Sequence, residues 1–180
     1  MRAISCLCLA VCLAACGASG TRKPGRRNPS PVAQAETTHE YPSPAPPPES
    51  ATGGSPSPSA AVDAFAAAYI NWNARTISGD LRALAGHSIG QARAAMQLAA
   101  AQTASDYELR RGGIANQGAV EAVAPLKGAG NQFVVVTREL TSATATTAYQ
   151  GLQPAWHVAL ATVTQERPGQ WVVSAWQPES

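Results

Sequence analysis

The sequence predicts an α+β domain over residues 58–180, in which three N-terminal helices pack on a curved antiparallel sheet. Two patterns predict this class. Apolar residues recur with helical spacing up to about residue 103, and after Asp106 they alternate with polar residues, as in strands with one buried face. A third observation places the start of the domain. Residues 17–57 hold nine of the 14 prolines, so we expect the core to begin after them.

The first predicted helix begins at Pro58, because Ser57 can cap it and proline is accepted at the first helical position. Its apolar face carries, at helical spacing, Val62, Phe65, Tyr69 and Trp72. This stripe predicts that one side of the helix packs against the sheet.

Two shorter helices are predicted to follow. Ser78-Gly79-Asp80 opens the second, which ends at Gly86. Ser88 and Gln91 match a capping box for the third, which runs to about Thr103. Its apolar face holds Ile89, Ala92, Met96 and Ala99 or Ala100. A capping role predicts that Ser88→Asp is tolerated better than Ser88→Ala, because Asp also caps and its charge suits a helix N-terminus.

The rest of the domain is predicted to form the sheet. The five predicted strands lie near residues 108–115, 118–126, 131–140, 154–166 and 170–177. Residues 127–131 are predicted to be a hairpin loop, and Pro168-Gly169 fits the central positions of a type II turn. Residues 141–153, rich in Thr and Ala, can form a loop or an edge strand.

The N-terminus carries an apolar run over residues 3–15, directly after Met1-Arg2. The run is too short to cross a membrane as a helix, but it has the length of the apolar part of a secretion signal. It ends in Leu13-Ala14-Ala15-Cys16, which resembles the bacterial lipoprotein signal. The resemblance implies cleavage before Cys16 and a diacylglyceryl group, with chains such as palmitate, on its sulfur. The alternative is an ordinary secretion signal with a cysteine there by chance.

The predicted organisation is therefore a signal peptide at residues 1–15, a lipidated cysteine with a disordered Pro-rich tether at 16–57, and one domain at 58–180. The lipid would attach the protein to the extracytoplasmic face of the cell membrane. Because the tether has almost no apolar side chains, a fragment that begins near Ser55 is expected to fold alone.

Charge and cysteine usage exclude several classes of function. Charged residues make up 13% of the chain, the net charge is +2, and no basic cluster occurs, so no nucleic-acid partner is predicted. The four cysteines all lie within residues 6–16, which excludes a disulfide framework or a thiolate metal site in the domain. The two histidines of the domain, His87 and His157, lack metal-ligand spacing, so we predict no metal and no cofactor.

Three stretches of the domain resemble the nuclear transport factor 2-like superfamily, whose fold is also called cone-shaped or ketosteroid-isomerase-like. They are Tyr69-Ile70-Asn71-Trp72, Ser78-Gly79-Asp80-Leu81 and the closing stretch Trp171–Trp176. The resemblance covers about residues 58–178 and implies helices packed on a cone-shaped sheet. The superfamily includes enzymes, ligand binders and structural subunits, so the fold does not choose among them.

Two patterns in the domain resemble catalytic motifs. Gly86–Gly90 matches G-x-S-x-G, and Asp106 and His157 follow in the order of the α/β-hydrolases. That motif requires a strand before the serine, whereas the residues before Ser88 predict helix. Ser88 is therefore expected to be a helix cap.

The second pattern is that of the ketosteroid isomerases, which use a base Asp, an oxyanion-hole Tyr and a protonated Asp. Tyr69 matches the Tyr by position, and Asp80 could serve as the base. No Asp follows Asp106, so no strand Asp can be the protonated acid. The sequence therefore favours a domain that is not an enzyme.

The remaining candidates for a pocket or an interface are aromatic or basic side chains, each of which could instead be core. They are Tyr69, Trp72, Trp156, His157, Trp171 and Trp176. The favoured function is a lipid-anchored binding or scaffold domain with a protein partner in the cell envelope. Cone-shaped domains on membrane anchors occur in type IV secretion and conjugation assemblies, and the Trp171–Pro178 ending resembles actinobacterial proteins of that kind.

The rival hypothesis is a protein that binds a small molecule, or acts as an isomerase, in the cavity of the cone. A deep apolar cavity with convergent polar groups would favour this rival. A filled cone with an exposed apolar sheet face would favour the scaffold role.

Overall fold

A computed structural model describes residues 48–179. The predicted signal peptide, Cys16 and the predicted tether up to residue 47 lie outside the described residues. In chain order, the helices are α1 (Pro58–Ile70), α2 (Ile77–Gly86), α3 (Gly90–Ala104) and α4 (Tyr107–Gly112). The strands are β1 (Trp72–Asn73), β2 (Ile114–Pro125), β3 (Gln132–Ala143), β4 (Ala155–Arg167) and β5 (Gln170–Glu179).

Within these residues, the strands form one antiparallel sheet in the order β1-β2-β3-β4-β5. Each of the long strands therefore pairs with the next one along the chain. Bulges interrupt the pairing between Val120 and Ala122 and between Thr162 and Val163, and such bulges bend a sheet. Helices packed on a bent antiparallel sheet confirm the predicted α+β class. This is also the arrangement that the superfamily resemblance implies.

The core lies between the helices and one face of the sheet. Buried apolar residues on α1, α2 and α3 contact inward-facing residues of β3, β4 and β5. The largest contributions come from Val62, Phe65, Leu81, Leu84, Met96, Phe133, Val135, Val163, Val173 and Trp176. Because side chains alternate along a strand, every second residue of β3 and β4 points into this core.

The first helix begins as predicted. The Ser57 hydroxyl oxygen accepts a hydrogen bond from the Ala60 N–H at 3.2 Å, and Pro58 is the first helical residue. The helix ends at Ile70, so Trp72 lies on β1 rather than on the apolar face of α1. Ile70, which is 1% exposed, closes that face instead.

The predicted strand at residues 108–115 is wrong, because most of it forms α4. The Asp106 carboxylate accepts a hydrogen bond from the Leu109 N–H at 2.9 Å and caps this helix. Gly113 ends it with a left-handed backbone (φ 61°), which is the usual conformation after a helix C-terminus. The fifth strand is instead β1, whose two residues pair with Ala115 and Asn116 of β2.

The two predicted turns of the sheet are present. Residues 127–131 connect β2 to β3, and Gly169 has φ 73°, as the third position of a type II turn requires. Strand β3 continues to Ala143, so residues 141–143 belong to the strand and residues 144–154 connect it to β4.

A segment before α1, residues 49–55, is hydrogen-bonded along the domain; we call it the N-terminal strap. The Ala51 N–H donates to the Glu166 carboxylate at 2.9 Å, and Thr52 N–H donates to the carbonyl of Gly86 at 2.8 Å. Ser55 and Trp171 exchange two backbone hydrogen bonds of 2.9 Å. Ordered contacts therefore begin about nine residues before the predicted domain boundary, because polar backbone groups tie the strap to the domain.

Candidate functional site

A small cavity lies where the last turn of α1 faces the inner side of β3, β4 and β5. Its volume is about 170 Å³. The lining residues are Tyr69, Thr137, Glu139, His157, Val158, Ala159, Trp176, Pro178 and Glu179. Three of the six predicted site residues, Tyr69, His157 and Trp176, thus meet at one place.

Aromatic rings fill much of the space between α1 and β5. Phe65 and Tyr69 are one helical turn apart, and their rings stack with centroids at 6.4 Å and an interplanar angle of 11°. The Trp176 ring packs against both, with centroid distances of 5.2 Å to Phe65 and 5.4 Å to Tyr69. Offset and tilted contacts at these distances are favourable, and two members of the cluster, Tyr69 and Trp176, form part of the cavity wall.

Glu139 supplies the acid of this cavity. It lies on β3 at the same parity as Phe133 and Thr137, which places it on the inner face. Its two carboxylate oxygens accept hydrogen bonds from the Asn116 amide at 2.7 Å and from the Thr137 hydroxyl at 2.5 Å. The Asn116 amide also donates to the Ile70 carbonyl at 2.8 Å, so α1, β2 and β3 together hold the carboxylate in place.

The Tyr69 hydroxyl is a weaker acid here than in an exposed tyrosine. Burial raises the pKa of Tyr69 above its usual value, and the nearby Glu139 carboxylate raises it further. The Trp176 indole acts on the pKa of Tyr69 in the opposite direction, although the two groups do not reach hydrogen-bond geometry. The phenol therefore stays neutral at physiological pH and can act only as a hydrogen-bonding group.

Trp176, which lines the cavity, carries one unsatisfied polar atom. The side chain is 4% exposed, and its indole nitrogen has no hydrogen-bond partner among the described residues. A buried N–H without an acceptor costs about 1–3 kcal/mol. An acceptor entering the cavity would remove that cost.

The cavity is small for a ligand site. It holds about five water molecules at the volume that water has in the liquid. Pockets for drug-sized ligands measure about 300–1,000 Å³. An isomerase of the superfamily type also needs a carboxylic acid that donates a hydrogen bond, whereas both oxygens of Glu139 accept one.

The other predicted site residues lie elsewhere. Trp171 lines a groove of about 340 Å³ between α1, β5 and the N-terminal strap. Trp72 lines a second groove, of about 460 Å³, around β1. Trp156 is 63% exposed, and its ring lies 5.9 Å from the guanidinium carbon of Arg138. The six residues therefore do not form one site.

The G-x-S-x-G serine is buried between α2 and α3. The Ser88 hydroxyl donates to the carbonyl of Leu84 at 3.0 Å or of Ala85 at 3.2 Å, at the end of the preceding helix. No strand leads into this turn, so the hydrolase geometry is absent at this serine.

The predicted capping box is also wrong. Ile89, which has no side-chain cap, occupies the N-cap position of α3. The Glu49 carboxylate accepts from the Gly90 N–H at 2.6 Å, and the Gln91 side chain accepts from the Trp176 N–H of the backbone at 2.9 Å. The Ser88 side chain therefore hydrogen-bonds the C-terminal end of α2, and the Gln91 side chain hydrogen-bonds the backbone of β5.

The centre of the sheet face that is turned away from the helices is apolar. We define its outer apolar face by the residues Ala122, Val134, Val136, Trp156, Val158 and Leu160. They have the opposite parity to the core residues of the same strands. Val136 lies directly opposite Ala122 on β2 and Val158 on β4, so the face is continuous across three strands.

Exposure distinguishes this face from an ordinary solvent-facing sheet surface. Antiparallel sheets with one solvated face usually carry polar residues there. Here Val158 is 40% exposed, and Leu140, next to the face on β3, is 37% exposed. Arg138 and Glu179 are charged residues at its border.

Sequence reasoning missed both Glu139 and the outer apolar face. The ketosteroid-isomerase pattern points to an Asp as the acid on a strand, so Glu139 was not a candidate. Apolar and polar residues already alternate over residues 133–139, and this alternation places Glu139 on the inner face. The same alternation places Val134 and Val136 outward. The two-residue alternation along β3 was therefore enough to predict both features.

Residues 48–179 show neither a metal-binding cluster nor a membrane-spanning helix. No group of three or more His, Cys, Asp or Glu side chains there is arranged to hold a metal ion. No helix of that region has the length and hydropathy needed to cross a membrane.

Comparison with solved structures shows a likeness in fold. No protein-family model matches the chain, and no curated protein is similar to it. A similar solved structure is that of the VirB8 protein of Agrobacterium tumefaciens, with a TM-score of 0.46 and 14% identity. The likeness covers 67% of this chain and 88% of that chain. Similarity at this level does not transfer a function from one protein to another.

Proposed function

We propose that the protein is a lipid-anchored extracytoplasmic protein whose domain binds a protein partner and has no catalytic role. The outer apolar face is the observation that carries this proposal. Contiguous apolar patches larger than a few hundred Å² are rare on monomeric proteins and mark interaction sites. The cavity of about 170 Å³, by contrast, is smaller than the pockets that take drug-sized ligands.

The N-terminal sequence supports the anchored part of the proposal. Leu13-Ala14-Ala15-Cys16 would give a diacylated N-terminus. Two acyl chains hold a protein stably at a membrane, since each buried methylene contributes about 0.8 kcal/mol. A scaffold role in an envelope, secretion or conjugation assembly would suit a domain held in this way.

A photo-crosslinking experiment tests the binding face. The amino acid p-benzoylphenylalanine would replace Trp156 in the full chain in its own membranes. Tyr107 on α4 is a matched control, because it is 62% exposed against 63% for Trp156, and each ring has an arginine about 6 Å away. We expect a protein adduct of defined mass from position 156 alone. Equal adducts from both positions, or none from position 156, would contradict the proposal.

A second candidate function is the binding of a very small ligand in the cavity, which the unsatisfied Trp176 indole favours. The ligand would present a neutral acceptor oxygen to the indole, since Glu139 already supplies a carboxylate. Acetamide is a suitable probe. It should shift the Trp176 indole resonance in a proton–nitrogen correlation spectrum and leave that of exposed Trp156 in place. Equal small shifts of both resonances would remove this candidate.

A further inference from the structure

We propose that the groove around β1 binds an uncharged chain of N-acetylated sugars. The groove measures about 460 Å³, which lies within the range of about 300–1,000 Å³ that is usual for sites of drug-sized ligands. It is lined by Asn71, Trp72, Asn73, Thr76, Ala115, Asn116, Gln117 and Gly118. The groove shares no residue with the outer apolar face, so this site goes beyond the proposed function and can be tested independently of it.

The chemistry of the lining indicates an uncharged ligand that forms many hydrogen bonds. All eight of the described residues that line the groove are uncharged, and most of them carry an amide, hydroxyl or indole group. A charged ligand would lose part of its hydration here without meeting an opposite charge. An apolar ligand would leave these polar groups without partners. A sugar chain, which carries many neutral donors and acceptors, avoids both costs.

Several polar groups at the groove can bind such a ligand. The Asn73 side-chain oxygen accepts from the Arg75 N–H at 2.9 Å, which leaves the Asn73 NH₂ group as a donor. Thr76 is the N-cap residue of α2, but its side chain makes no capping hydrogen bond within the described part of the chain. Gln117 on β2 is exposed, and its amide has a donor and an acceptor side by side. This pair matches an acetamido group, which also presents one N–H and one carbonyl oxygen.

Trp72 adds an aromatic surface to the same groove. Its side chain is half-buried and packs against the hydrophobic core, so the ring is held in place. The face of an aromatic ring carries partial negative charge, and it therefore attracts the C–H groups on one face of a sugar ring. An aromatic ring with amide groups beside it provides both kinds of contact that a sugar offers.

Hydrogen bonds within the protein fix the walls of the groove. The Asn71 side chain accepts from the Gly118 N–H at 3.0 Å and donates to the Gly118 carbonyl at 3.2 Å. The Asn116 amide donates to the Ile70 carbonyl at 2.8 Å. These bonds join the end of α1 to β2. A ligand does not have to order these elements when it binds, which keeps the cost of binding low.

A peptide strand added to the edge of the sheet is the main alternative occupant. Strand addition depends on a row of unpaired backbone groups. Strand β1 has only two residues, Trp72 and Asn73, and the Asn73 carbonyl already accepts from the Thr76 N–H at 3.1 Å. The groove therefore offers a ligand mainly side chains, which favours a sugar over a peptide.

Titration of the full chain in detergent micelles tests the inference. The probes are chitotetraose, a tetramer of N-acetylglucosamine, and cellotetraose, which has the same linkage but hydroxyl groups in place of the acetamido groups. We expect chitotetraose to shift the indole resonance of Trp72 in a proton–nitrogen correlation spectrum and to leave that of exposed Trp156 in place. Cellotetraose should bind about fivefold more weakly in calorimetry, since it lacks the acetamido hydrogen bonds.

Two substitutions show whether chitotetraose binds in this groove. Gln117→Ala should weaken its binding about fivefold, because one hydrogen-bonding side chain is lost. Gln165→Ala is the matched control and should leave binding unchanged, since Gln165 is also an exposed strand glutamine but lies on β4, outside the groove. Trp72→Leu should weaken binding about tenfold by removing the aromatic face. Gln117→Ala tests the site even if Trp72→Leu fails to fold, because Gln117 is exposed.

Three outcomes would overturn the proposal. The first is a Trp72 resonance that chitotetraose leaves in place, and the second is equal binding of the two sugars. The third is equal binding by the Gln117→Ala and Gln165→Ala proteins. If a tetrapeptide of alternating threonine and valine shifts the Trp72 resonance and chitotetraose does not, the groove is a peptide site and the sugar is wrong.

Discussion

The Ser88 hydroxyl shows how the position of one residue in the fold decides its chemistry. Ser88 is fully buried, and its hydroxyl donates to the carbonyl of Leu84 or Ala85. In the sequence the same residue stands before a helix and resembles an N-cap. In the structure the Ser88 hydroxyl donates a hydrogen bond to the end of the preceding helix. A side chain that can only accept hydrogen bonds therefore cannot replace it.

We therefore expect Ser88→Asp to lower the free energy of unfolding more than Ser88→Ala, the reverse of the order for an N-cap. Alanine loses one hydrogen bond, at about 1 kcal/mol. Aspartate places a buried charge against carbonyl oxygens, at about 3 kcal/mol or more. Urea unfolding of residues 17–180 measures both.

Ser78 provides the control for this comparison. Its hydroxyl donates to the Ala100 carbonyl at 2.9 Å, but the side chain is only half-buried. Ser78→Asp should consequently cost less than Ser88→Asp. A Ser88→Asp protein as stable as Ser88→Ala would restore the capping interpretation.

At the scale of elements, the N-terminal strap changes where the folded unit begins. Residues 49–55 bond to the ends of α2 and α3 and to the β4–β5 hairpin. The segment is poor in apolar residues, so hydropathy places it in the tether. The strap is held by hydrogen bonds of backbone and carboxylate groups. Such bonds produce no periodic pattern of apolar residues in the sequence.

A fragment that starts at residue 56 is expected to be less stable than one that starts at residue 48 by about 2–3 kcal/mol. The strap loses several hydrogen bonds worth about 1 kcal/mol each, and part of this is offset by the entropy it regains. Urea unfolding of the two fragments measures the difference. A fragment that starts at residue 40 is the control and should match the one that starts at 48. Equal stability of the fragments from 48 and 56 would show that the strap adds nothing.

At the scale of the whole molecule, the proposed anchor and the proposed binding face act together. Lipid attachment would restrict all copies to one surface, and the outer apolar face would then meet partners there.

We expect Cys16→Ala to move the protein from the detergent-rich phase to the aqueous phase in a detergent phase-partition assay, because the acyl chains are lost. Cys12→Ala is the control, since the predicted cleavage removes Cys12, and it should leave partitioning unchanged. An unlipidated Cys16→Ala protein that stays in the detergent phase would contradict the lipoprotein prediction.

Local signals in the sequence were sufficient to predict the fold class, the cap of α1, the hairpin loop at residues 127–131 and the turn at Gly169. These features depend on local signals, namely hydrophobic period, capping side chains and glycine backbone freedom. The signals for α4 were also local, with Asp106 as cap and Gly113 at its end, but the alternating residues between them favoured a strand.

Which distant residues meet depends on strand register and on packing, which local signals do not specify. Tyr69 and Glu139 are 70 positions apart, and the pairing register of β2, β3 and β4 brings them into one cavity. The two-residue strand β1 exists because Ala115 and Asn116 lie beside it, not because of its own composition. Alternation along β3 and β4 separates an inner from an outer face, but only the packing of the helices shows which apolar face stays exposed.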